Sequence, residues 1–499
     1  MKKVLLLYPN SPDNTYWGFK HALSFIGKKA AFPPLGLITI AALFPSEWEI
    51  RLIDMNIEEL KEKHLKWADY IVISGMCIHK HSAKDILTRC KNFRVKIIAG
   101  GPLFQFSPNP EEEFPEIDHF ILGEAETTLE PFLSDLKKGV TKRLYHAQTW
   151  IDLKKSPIPR FDLIKMEKYS SMCLQYSRGC PFNCEYCNIK ALSPGVRTKN
   201  SDQLIAELDN LYRAGWRGSV FIVDDNFIGQ PRKLTDEVLP AIIRWQEKRK
   251  CPFTFYTEAS INLAANNELI RLMVEAGFDT VFIGIESIHK ASLVECHKTQ
   301  NQKVNLLEAV KSIQRAGLEV QAGFILGFDN DPPTIFKELE EFIQESGICT
   351  AMIGLLQAVP QTRLYERLER EGRILLESSG NNTDTALNFI PRMDPSILVE
   401  GYKDLVKKVY SPEGYYARVK ILLGRYTQSL SQKKPATFNR IKAAFKAVAL
   451  LGIREKKERR FFWNLLFWTI KNKPGLFPLA ITLSIFGYHL RKTFGDDWK

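Results

Sequence analysis

The 499-residue sequence contains no apolar run of about 20 residues, the length that a membrane-spanning helix needs. Two apolar runs near the C-terminus, Phe461–Ile470 and Leu476–Leu490, are shorter, and Pro474, Gly475 and Pro478 break them up. The N-terminal residues also lack a charged stretch followed by an apolar core, so no secretory signal is predicted. We therefore expect a cytoplasmic protein without a transmembrane anchor.

Low-complexity tracts and repeats of fixed period are also missing. Apolar residues make up 45% and charged residues 25% of the chain, as in ordinary globular proteins, and the length suits two or three domains. The nine cysteines are an odd number, and in a reducing compartment they remain available for a metal rather than for disulfides.

Acidic residues are scarce in the last hundred residues. Residues 401–499 contain 21 Lys/Arg and 6 Asp/Glu, a net charge of +15, whereas the rest of the chain sums to −3. Such a basic tail indicates contact with phosphate groups, in lipid or in nucleic acid.

Candidate strands alternate with helical patterns in residues 1–140. The strands are Val4–Tyr8, Ile50–Asp54, Tyr70–Ser74, Lys96–Ala99 and His119–Leu122. This alternation predicts an α/β fold with a doubly wound, Rossmann-like sheet over residues 1–145. Ligands of such sheets bind beyond the carboxyl ends of the strands, where glycine allows close approach of the backbone. The candidate binding positions are Ser74-Gly75, Gly100-Gly101-Pro102 and Gly123-Glu124.

A proline-marked linker over residues 146–168 leads to a second alternation over residues 169–394. Its strands are Met172–Ser177, Ser219–Asp224, Thr254–Thr257, Thr280–Ile285, Val320–Ile325 and Ala351–Gln357. Six β/α units predict a partial (β/α)6 barrel, related to the full eight-unit barrel. Residues 395–499 form a mainly helical, basic C-terminal extension.

Three cysteines follow the first barrel strand. Cys180, Cys184 and Cys187 lie within eight residues, in the segment RGCPFNCEYC. They can bind three corners of a cubic 4Fe-4S cluster and leave the fourth iron without a protein ligand. The amino and carboxylate groups of S-adenosylmethionine would chelate that open iron, and an electron from the cluster would break a carbon–sulfur bond.

A structural zinc site is the alternative for these cysteines. It needs four ligands, usually as two C-x2-C pairs. Cys173 lies within the predicted strand, and no Cys or His follows Cys187 within 60 residues. The spacing therefore favours the cluster.

The motif C-x3-C-x2-C, with an aromatic residue before the last cysteine, resembles the signature of the radical S-adenosylmethionine superfamily. The order of the domains resembles the branch with an N-terminal cobalamin-binding domain. The segments Trp17–Lys20 and Phe32–Gly36, together with the C-terminal extension, resemble the subgroup that includes the hopanoid C-2 methylases.

Polar residues and glycines at the barrel strand ends are candidates for binding S-adenosylmethionine. They are Asp224, Asp225, Glu258, Glu286, Gly323, Ile325 and Gln357. The resemblance implies that Glu258 and Glu286 face the methionyl or ribose groups and that Gly323 and Ile325 face the adenine. A helix cap or a salt-bridged strand end is the alternative for each carboxylate.

The lower-ligand motif of many cobalamin enzymes, D-x-H-x-x-G, is missing from the N-terminal domain. His79 and His81 lie near the third strand without that spacing, and we interpret them as ordinary polar loop residues. The resemblance implies that cobalamin binds without such a histidine. A sheet used only for contact with protein or substrate is the alternative.

The resemblance implies a cobalamin-dependent methyltransferase that acts on an unactivated carbon, for example in a lipid such as a hopanoid. One S-adenosylmethionine would yield a 5′-deoxyadenosyl radical that abstracts hydrogen, and cobalamin would carry a methyl group from a second one. A cobalamin-dependent radical oxidative cyclase or rearrangement enzyme uses the same cofactors and remains an alternative. A non-catalytic cobalamin or metal sensor is a second alternative, which the strand-end carboxylates disfavour.

The predicted partners are a small-molecule or lipid substrate and an electron donor such as a flavodoxin or ferredoxin. The basic stretch from Lys433 to Arg460 precedes Phe461-Phe462-Trp463 and Phe467-Trp468, which suits peripheral contact with the inner face of an anionic membrane. A helical cap that packs on the barrel is the alternative. Nucleic acid is disfavoured because the aromatic residues are clustered rather than interleaved with polar groups.

Overall fold

Six parallel strands form the N-terminal sheet of the computed structural model, which describes residues 2–427 and 438–495. Their order is β2-β1-β3-β4-β5-β6, so the chain changes direction across the sheet between β1 and β3, as in doubly wound folds. The strands are β1 (Lys3–Tyr8), β2 (Glu49–Asp54), β3 (Tyr70–Ser74), β4 (Lys96–Gly100), β5 (His119–Leu122) and β6 (Leu144–His146). The predicted sheet is confirmed, with the short edge strand β6 in addition.

Helices cover both faces of this sheet. They are α2 (Leu35–Ala41), α3 (Glu62–Trp67), α4 (Lys80–Cys90), α5 (Pro102–Gln105), α6 (Pro110–Glu113) and α7 (Ala125–Lys138), whereas α1 (Lys20–Ile26) packs on helices of the C-terminal extension. Side chains of β1 alternate between the faces, so that Val4 and Leu6 join one core and Leu5 and Leu7 the other. The apolar runs of these strands are therefore explained by burial on both sides.

The second sheet is also parallel, in the order β14-β13-β12-β11-β10-β7, with β7 and β14 at its edges. Its strands are β7 (Ser171–Leu174), β10 (Ser219–Ile222), β11 (Thr254–Ala259), β12 (Phe278–Glu286), β13 (Glu319–Leu326) and β14 (Ala351–Leu355). The small antiparallel ribbon of β8 (Ser177–Arg178) and β9 (Arg197–Thr198) frames the cysteine loop. The predicted strand Met172–Ser177 is thus divided between β7 and β8.

Helices surround the outer face of the second sheet. They are α9 (Ser201–Arg213), α10 (Pro231–Lys233), α11 (Leu239–Lys248), α12 (Asn267–Ala276), α13 (Lys290–Glu295), α14 (Leu306–Arg315) and α15 (Ile335–Ser346). α8 (Ile189–Leu192) directly follows the cysteine loop, and α16 (Arg363–Arg370) contacts that loop. On the inner face, Phe221 stacks on Tyr256 at 4.8 Å, and the ring centroid of Trp17 lies 5.5 Å from that of Phe282. A segment from the N-terminal domain therefore fills part of the barrel interior.

The C-terminal extension packs on the barrel. Its helices are α17 (Pro395–Val409), α18 (Pro412–Arg425), α19 (Phe438–Ala447), α20 (Arg459–Asn472) and α21 (Phe477–Thr493). The hydroxyls of Tyr16, Tyr402 and Tyr410 donate to backbone carbonyls of the edge strand β14, at Ile353 and Ala351. Polar groups that an edge strand would expose are thereby satisfied.

Within the described residues, no helix is both long enough and apolar enough to cross a membrane. The basic residues Lys433 and Lys434 at the start of the predicted basic stretch lie outside the described residues.

Candidate active site

The three cysteines lie on the loop between β8 and α8. This loop begins at Gly179, whose backbone φ is +89° and whose added Cβ would lie 1.9 Å from the carbonyl oxygen of Gly195. Only glycine fits there, because a side chain would meet backbone that cannot move aside. The backbone N–H of Gly179 also donates to Asp225 over 2.8 Å. The start of the loop is therefore fixed immediately before Cys180.

Contacts with the second half of the barrel fix the other side of the loop. Glu185 accepts hydrogen bonds from Arg367 of α16, with donor–acceptor distances of 2.8 and 3.2 Å. The Glu185 backbone N–H donates to Cys296, and its carbonyl accepts from Leu364. The cysteine loop is thus held by specific contacts although it lacks regular secondary structure.

The three thiols lie close enough to influence one another. Burial raises the pKa of Cys187 to about 12, and the neighbouring Cys184 and Cys180 thiols add to this effect. Asn226 and Gln300 donate to the sulfurs of Cys180 and Cys184, each over 3.9 Å. Partly exposed thiols on one loop suit cluster ligation, for which each must be deprotonated.

Across residues 2–427 and 438–495, no three His, Cys, Asp or Glu side chains are grouped to share one metal ion. A cubic cluster instead takes one cysteine at each of three irons, so its ligands do not converge on a single point. The donor set of the loop therefore fits a cluster.

Four carboxylates at the carboxyl ends of β10, β11 and β12 influence one another beside this loop. They are Asp224, Asp225, Glu258 and Glu286, all of which were predicted from the sequence. Asp224 is buried, and it accepts hydrogen bonds from the backbone of Tyr176 and Ser177 and from the Ser177 hydroxyl. Burial raises the pKa of Asp224 to about 7, against the effect of these bonds. In the structure Asp224 and Asp225 thus hold the chain that leads into the cysteine loop.

Glu258 lies near the end of β11, and its carboxylate has no hydrogen-bond partner within the described part of the chain. Burial, together with the nearby Asp225 and Glu286, raises its pKa to about 8. A carboxyl group in this position can accept hydrogen bonds from an ammonium or hydroxyl group of a ligand.

Glu286 ends β12 in a strained conformation, with a backbone φ of +65°. Its carboxylate folds back over Gly284, where an added Cβ would lie 2.2 Å from the Glu286 Oε1 atom. The Lys298 ammonium lies 2.8 Å from the same oxygen and donates to the Tyr186 hydroxyl over 3.2 Å. Strain of this kind persists where the surroundings fix a residue, commonly at functional sites.

The other predicted barrel positions lie on β13 and beyond β14. Gly323 pairs with Gly284 in register, next to the Glu286 carboxylate, and Ile325 is half-buried two residues further along β13. The Gln357 side chain donates to the carbonyl of Ala386 over 3.0 Å, so its amide is engaged with the segment after the barrel.

Sequence reasoning did not select Lys298, Gln300 or Tyr186 as site residues. Lys298 follows α13 in the connection to α14, where no local pattern separates it from a surface lysine. Tyr186 lies between two of the cysteines, and this position could have indicated it. Asn226 continues the strand-end run Asp224-Asp225 and could have been included for the same reason.

The predicted cobalamin positions lie together at the carboxyl ends of β3, β4 and β5. Gly101 has a φ of +85°, and an added Cβ would lie 2.5 Å from the Ser74 hydroxyl. Gly100 also has no room for a side chain, because an added Cβ would lie 2.7 Å from the carbonyl oxygen of Ile121. Pro102 then begins α5. No side chain covers the backbone at these glycines, so a flat ligand can lie directly against it.

His79 is buried rather than an ordinary loop residue. One ring nitrogen lies 3.0 Å from the backbone nitrogen of Met76 and the other 2.9 Å from the Ser11 hydroxyl. Burial lowers the pKa of His79 to about 4, so the ring is neutral at pH 7. His81, in contrast, has a side chain that is 95% exposed.

Glu124 follows Gly123 at the end of β5 and contacts two arginines of the cysteine-loop ribbon. Arg178 lies 2.9 Å and Arg197 2.8 Å from its Oε1 atom, and Arg178 also lies 2.6 Å from Glu126. Burial alone would raise the pKa of Glu124, but hydrogen bonds from Arg197 and Arg178 outweigh it and keep the pKa below its ordinary value. We call these four residues the inter-sheet ion cluster.

Three family models match the chain. A model described as "Radical SAM superfamily" matches residues 174–343, "B12 binding domain" matches residues 29–133, and "Domain of unknown function (DUF4070)" matches residues 362–496. The first contains the cysteine loop and the second contains the strand ends of the N-terminal sheet.

Two relatives match nearly the whole chain. An uncharacterized methyltransferase of Synechocystis sp. is 39% identical over 495 residues, 98% of this chain and 91% of the relative. The hopanoid C-2 methylase of Rhodopseudomonas palustris is 33% identical over 474 residues, 94% of this chain and 88% of the relative.

Among solved structures, the fold is similar to that of the radical S-adenosylmethionine methyltransferase TsrM from Kitasatospora setae, with cobalamin and a [4Fe-4S] cluster bound. The TM-score is 0.66 at 13% identity, covering 94% of this chain and 99% of that chain. The family to which these matches point uses a 4Fe-4S cluster, S-adenosylmethionine and cobalamin. The chain belongs to the cobalamin-dependent radical S-adenosylmethionine methyltransferases, the family that includes the hopanoid C-2 methylase.

Proposed function

We propose that this methyltransferase acts on an unactivated carbon of a polycyclic lipid of the hopanoid type. The observation that carries this proposal is the match to a hopanoid C-2 methylase over 94% of the chain. When bound, the cofactors would supply a carbon radical and a methyl group. Conversion of one C–H bond to C–CH3 consumes two S-adenosylmethionine molecules and two electrons, and it yields 5′-deoxyadenosine, methionine and S-adenosylhomocysteine. A flavodoxin or ferredoxin is the proposed electron donor.

The residues of the site divide the work in this proposal. Cys180, Cys184 and Cys187 hold the cluster, and Glu258 accepts hydrogen bonds from the donors of S-adenosylmethionine because it has no partner within the described chain. Glu286, held by Lys298, is a second acceptor, and Gly323 and Ile325 lie at the adenine.

The N-terminal strand ends form the proposed cobalamin site, at Ser74-Gly75, Gly100-Gly101-Pro102 and Gly123. The backbone approaches described above support this placement, whereas the Glu124 carboxylate is engaged with arginines. We propose functional boundaries at residues 1–145 for cobalamin, 169–394 for radical chemistry and 395–499 for the extension, joined by the linker of residues 146–168.

Peripheral membrane contact through the extension is part of the proposal. Phe445, Ile453, Phe467 and Ile470 on α19, α20 and the helical turn between them are 55–72% exposed. The Trp463 indole donates to Gly452 over 3.0 Å and stacks on Phe467, and so joins these elements. Large exposed apolar side chains on a basic surface suit insertion into an anionic bilayer.

The surroundings of this apolar surface are basic. Basic residues of α19, α20 and the segment between them include Lys442, Lys446, Arg454, Lys456, Lys457, Arg459, Arg460 and Lys471. The two nearby carboxylates are paired, Glu458 with Arg491 and Glu455 with Lys492. Phe462, which the sequence analysis grouped with the membrane aromatics, is buried instead, on a helix that packs against α18 and α21 of the extension. The extension therefore has one face for the barrel and another that supports membrane contact.

A product assay tests the proposed reaction. The purified protein is reconstituted with iron and sulfide, given cobalamin, S-adenosylmethionine and a low-potential reductant, and incubated with a lipid extract of its own cells. We expect 5′-deoxyadenosine, S-adenosylhomocysteine and a lipid heavier by one CH2. A changed lipid without that mass gain would favour a cyclase or rearrangement, and 5′-deoxyadenosine without S-adenosylhomocysteine would contradict methyl transfer.

A further inference from the structure

Four buried charges connect the cysteine loop to the end of the N-terminal sheet. In the inter-sheet ion cluster, Arg178 bridges Glu124 and Glu126, while Arg197 contacts both oxygens of Glu124. The side chains of the two glutamates are 6–7% exposed and those of the two arginines 19–21%. The two carboxylates balance the two guanidinium groups, so this cluster carries no net charge.

Short lengths of chain connect this cluster to both halves of the site. Arg178 is two residues before Cys180, and the intervening Gly179 is tightly enclosed between Asp225 and Gly195. On the other side, Glu124 directly follows Gly123, whose φ is +82° and whose added Cβ would lie 2.5 Å from Ala147. A shift of either carboxylate relative to the guanidinium group would therefore be passed to the backbone beside a cofactor position.

The hydrogen bonds of the inter-sheet ion cluster have preferred directions. An arginine fork binds carboxylates along fixed directions, whereas an apolar contact of the same area would tolerate sliding. Buried ion pairs contribute little net stability when compared with apolar packing, so their value here is better sought in the position that they specify.

We propose that Glu124, Glu126 and Arg178 are positioning residues that fix the distance between the radical cluster and cobalamin. This inference rests on the proposed cobalamin site at the ends of β3, β4 and β5. Radical formation needs only the barrel and its cluster, whereas delivery of the methyl group needs both halves in register. Small displacements of reacting groups lower rates strongly. Loss of the ion cluster should therefore uncouple the two half-reactions.

The chain offers a matched control in Arg367. Its guanidinium group bonds Glu185 in the same cysteine loop at similar distances, but it comes from α16 of the barrel side rather than from the N-terminal sheet. Arg367→Gln weakens the support of the loop without touching the inter-sheet ion cluster. A purely structural role of Arg178 predicts equal behaviour of Arg178→Gln and Arg367→Gln.

The test compares wild type, Arg178→Gln and Arg367→Gln as reconstituted full-length proteins with equal iron content. In Arg178→Gln we expect 5′-deoxyadenosine formation within about 2-fold of wild type and at least a 10-fold fall in S-adenosylhomocysteine formed per 5′-deoxyadenosine. In Arg367→Gln that ratio should be kept even if both products fall. An unchanged ratio in Arg178→Gln would overturn the proposal.

Hydrogen exchange gives a readout independent of turnover. Arg178→Gln should speed amide exchange both in residues 123–128 and in residues 177–180, whereas Arg367→Gln should leave residues 123–128 unchanged. Unchanged exchange of residues 123–128 in Arg178→Gln would also overturn the inference. If wild type itself forms no S-adenosylhomocysteine, methyl transfer fails, but this exchange measurement still decides whether the ion cluster joins the two segments.

Should Arg178→Gln fail to retain iron, Glu126→Gln replaces it, because this variant leaves Arg178 paired with Glu124. The expected effect is in the same direction, with a fall in the product ratio of at least 3-fold. Glu126→Gln protein with full iron content and the wild-type ratio would contradict the proposal.

Discussion

The Lys298 ammonium lies 2.8 Å from the Glu286 carboxylate and close to the thiols of Cys184 and Cys187. Burial alone would lower the pKa of Lys298, but Glu286 and the Cys184 thiol raise it well above its ordinary value. The lysine is therefore charged, and it places a fixed positive charge beside the cluster ligands.

The variant Lys298→Met should make the cluster harder to reduce. A nearby cation stabilises the reduced, more negative form of a cluster, so its loss shifts the midpoint potential to more negative values. A redox titration monitored by electron paramagnetic resonance measures this shift. Lys290→Met is the control, because Lys290 is exposed at the start of α13. Equal potentials in the two variants would show that the charge of Lys298 does not reach the cluster.

The variant Cys184→Ala should lose both the cluster and 5′-deoxyadenosine formation. Removal of one of three cysteine ligands leaves a second iron without protein ligation, and the cluster is no longer held. Iron content and 5′-deoxyadenosine in the reconstituted variant should fall to background. Cys251→Ala removes a half-buried cysteine outside the loop and should behave as wild type. Normal turnover by Cys184→Ala would refute the assignment of the loop.

The affinity for S-adenosylmethionine should increase with pH between about 6.5 and 8.5 in wild type. Glu258 has a pKa of about 8 in the unliganded protein, raised chiefly by burial, so it is mainly protonated at pH 7. Only its carboxylate form accepts strong, charge-assisted hydrogen bonds from the N–H and O–H donors of the ligand, so deprotonation strengthens binding. Equilibrium dialysis with the reconstituted protein measures the affinity for S-adenosylmethionine at each pH.

Glu258→Gln should remove this pH dependence and weaken binding at pH 8.5 by about 10-fold, the effect of one hydrogen bond to a charged group. Glu268→Gln, on the exposed start of α12, serves as the control and should keep the wild-type slope. If Glu258→Gln kept the wild-type dependence of affinity on pH, another titrating group would be its cause.

The inter-sheet ion cluster should contribute to stability at neutral pH and lose that contribution in acid. The pKa of Glu126 lies below its ordinary value because the Arg178 charge and hydrogen bond outweigh the effect of burial. Its stabilising effect is present above the unfolded value of about 4.3 and is lost as the pH falls through the lower folded value.

Glu126→Gln should therefore lower the free energy of unfolding by about 2 kcal/mol at pH 7, the effect of lost hydrogen bonds to a charged group, and the difference from wild type should shrink as the pH falls from about 4.3 through the lower folded pKa. Urea unfolding over that pH range measures the difference. A constant difference across the range would exclude titration of Glu126 as its source.

Flotation with anionic liposomes should carry the full-length protein, and added salt should reduce the bound fraction because the basic residues contribute through charge. The double variant Phe445→Ser, Phe467→Ser should lose most of this binding. Leu376→Ser is the matched control, because Leu376 is as exposed as Phe467 but lies outside the extension. Undiminished flotation of the double variant would exclude this surface as the membrane contact.

Regular periodicity made much of the fold predictable. Apart from the short edge strand β6, the strands of both sheets were predicted to within a few residues, because buried parallel strands appear as apolar runs between helical patterns. The division of Met172–Ser177 into β7 and β8 was not predicted, since Asp224, distant in sequence, draws the chain out of the sheet at Tyr176 and Ser177. No local pattern encodes such a contact.

The site was predicted where chemistry is concentrated in a short segment, as in the cysteine loop. Strand-end carboxylates were predicted as a group of cofactor contacts, but the different role of Asp224 and Asp225 was not predicted. In the structure these two hold backbone, whereas the Glu258 carboxylate has no hydrogen-bond partner among the described residues. Glu124 was predicted as a cobalamin contact, and its engagement with Arg178 and Arg197 depends on the packing of two domains. Lys298 could be found only from three-dimensional proximity.

The tyrosine hydroxyls on β14 determine how this protein can be dissected. Tyr402 and Tyr410 belong to the extension, so a chain that ends before residue 395 would expose the polar groups of an edge strand to other molecules. Such a truncated enzyme would tend to self-associate through that strand, and its loss of membrane binding would be uninterpretable. The extension thus protects the edge of the barrel sheet, and its surface is best studied by point substitutions that leave its inner face intact.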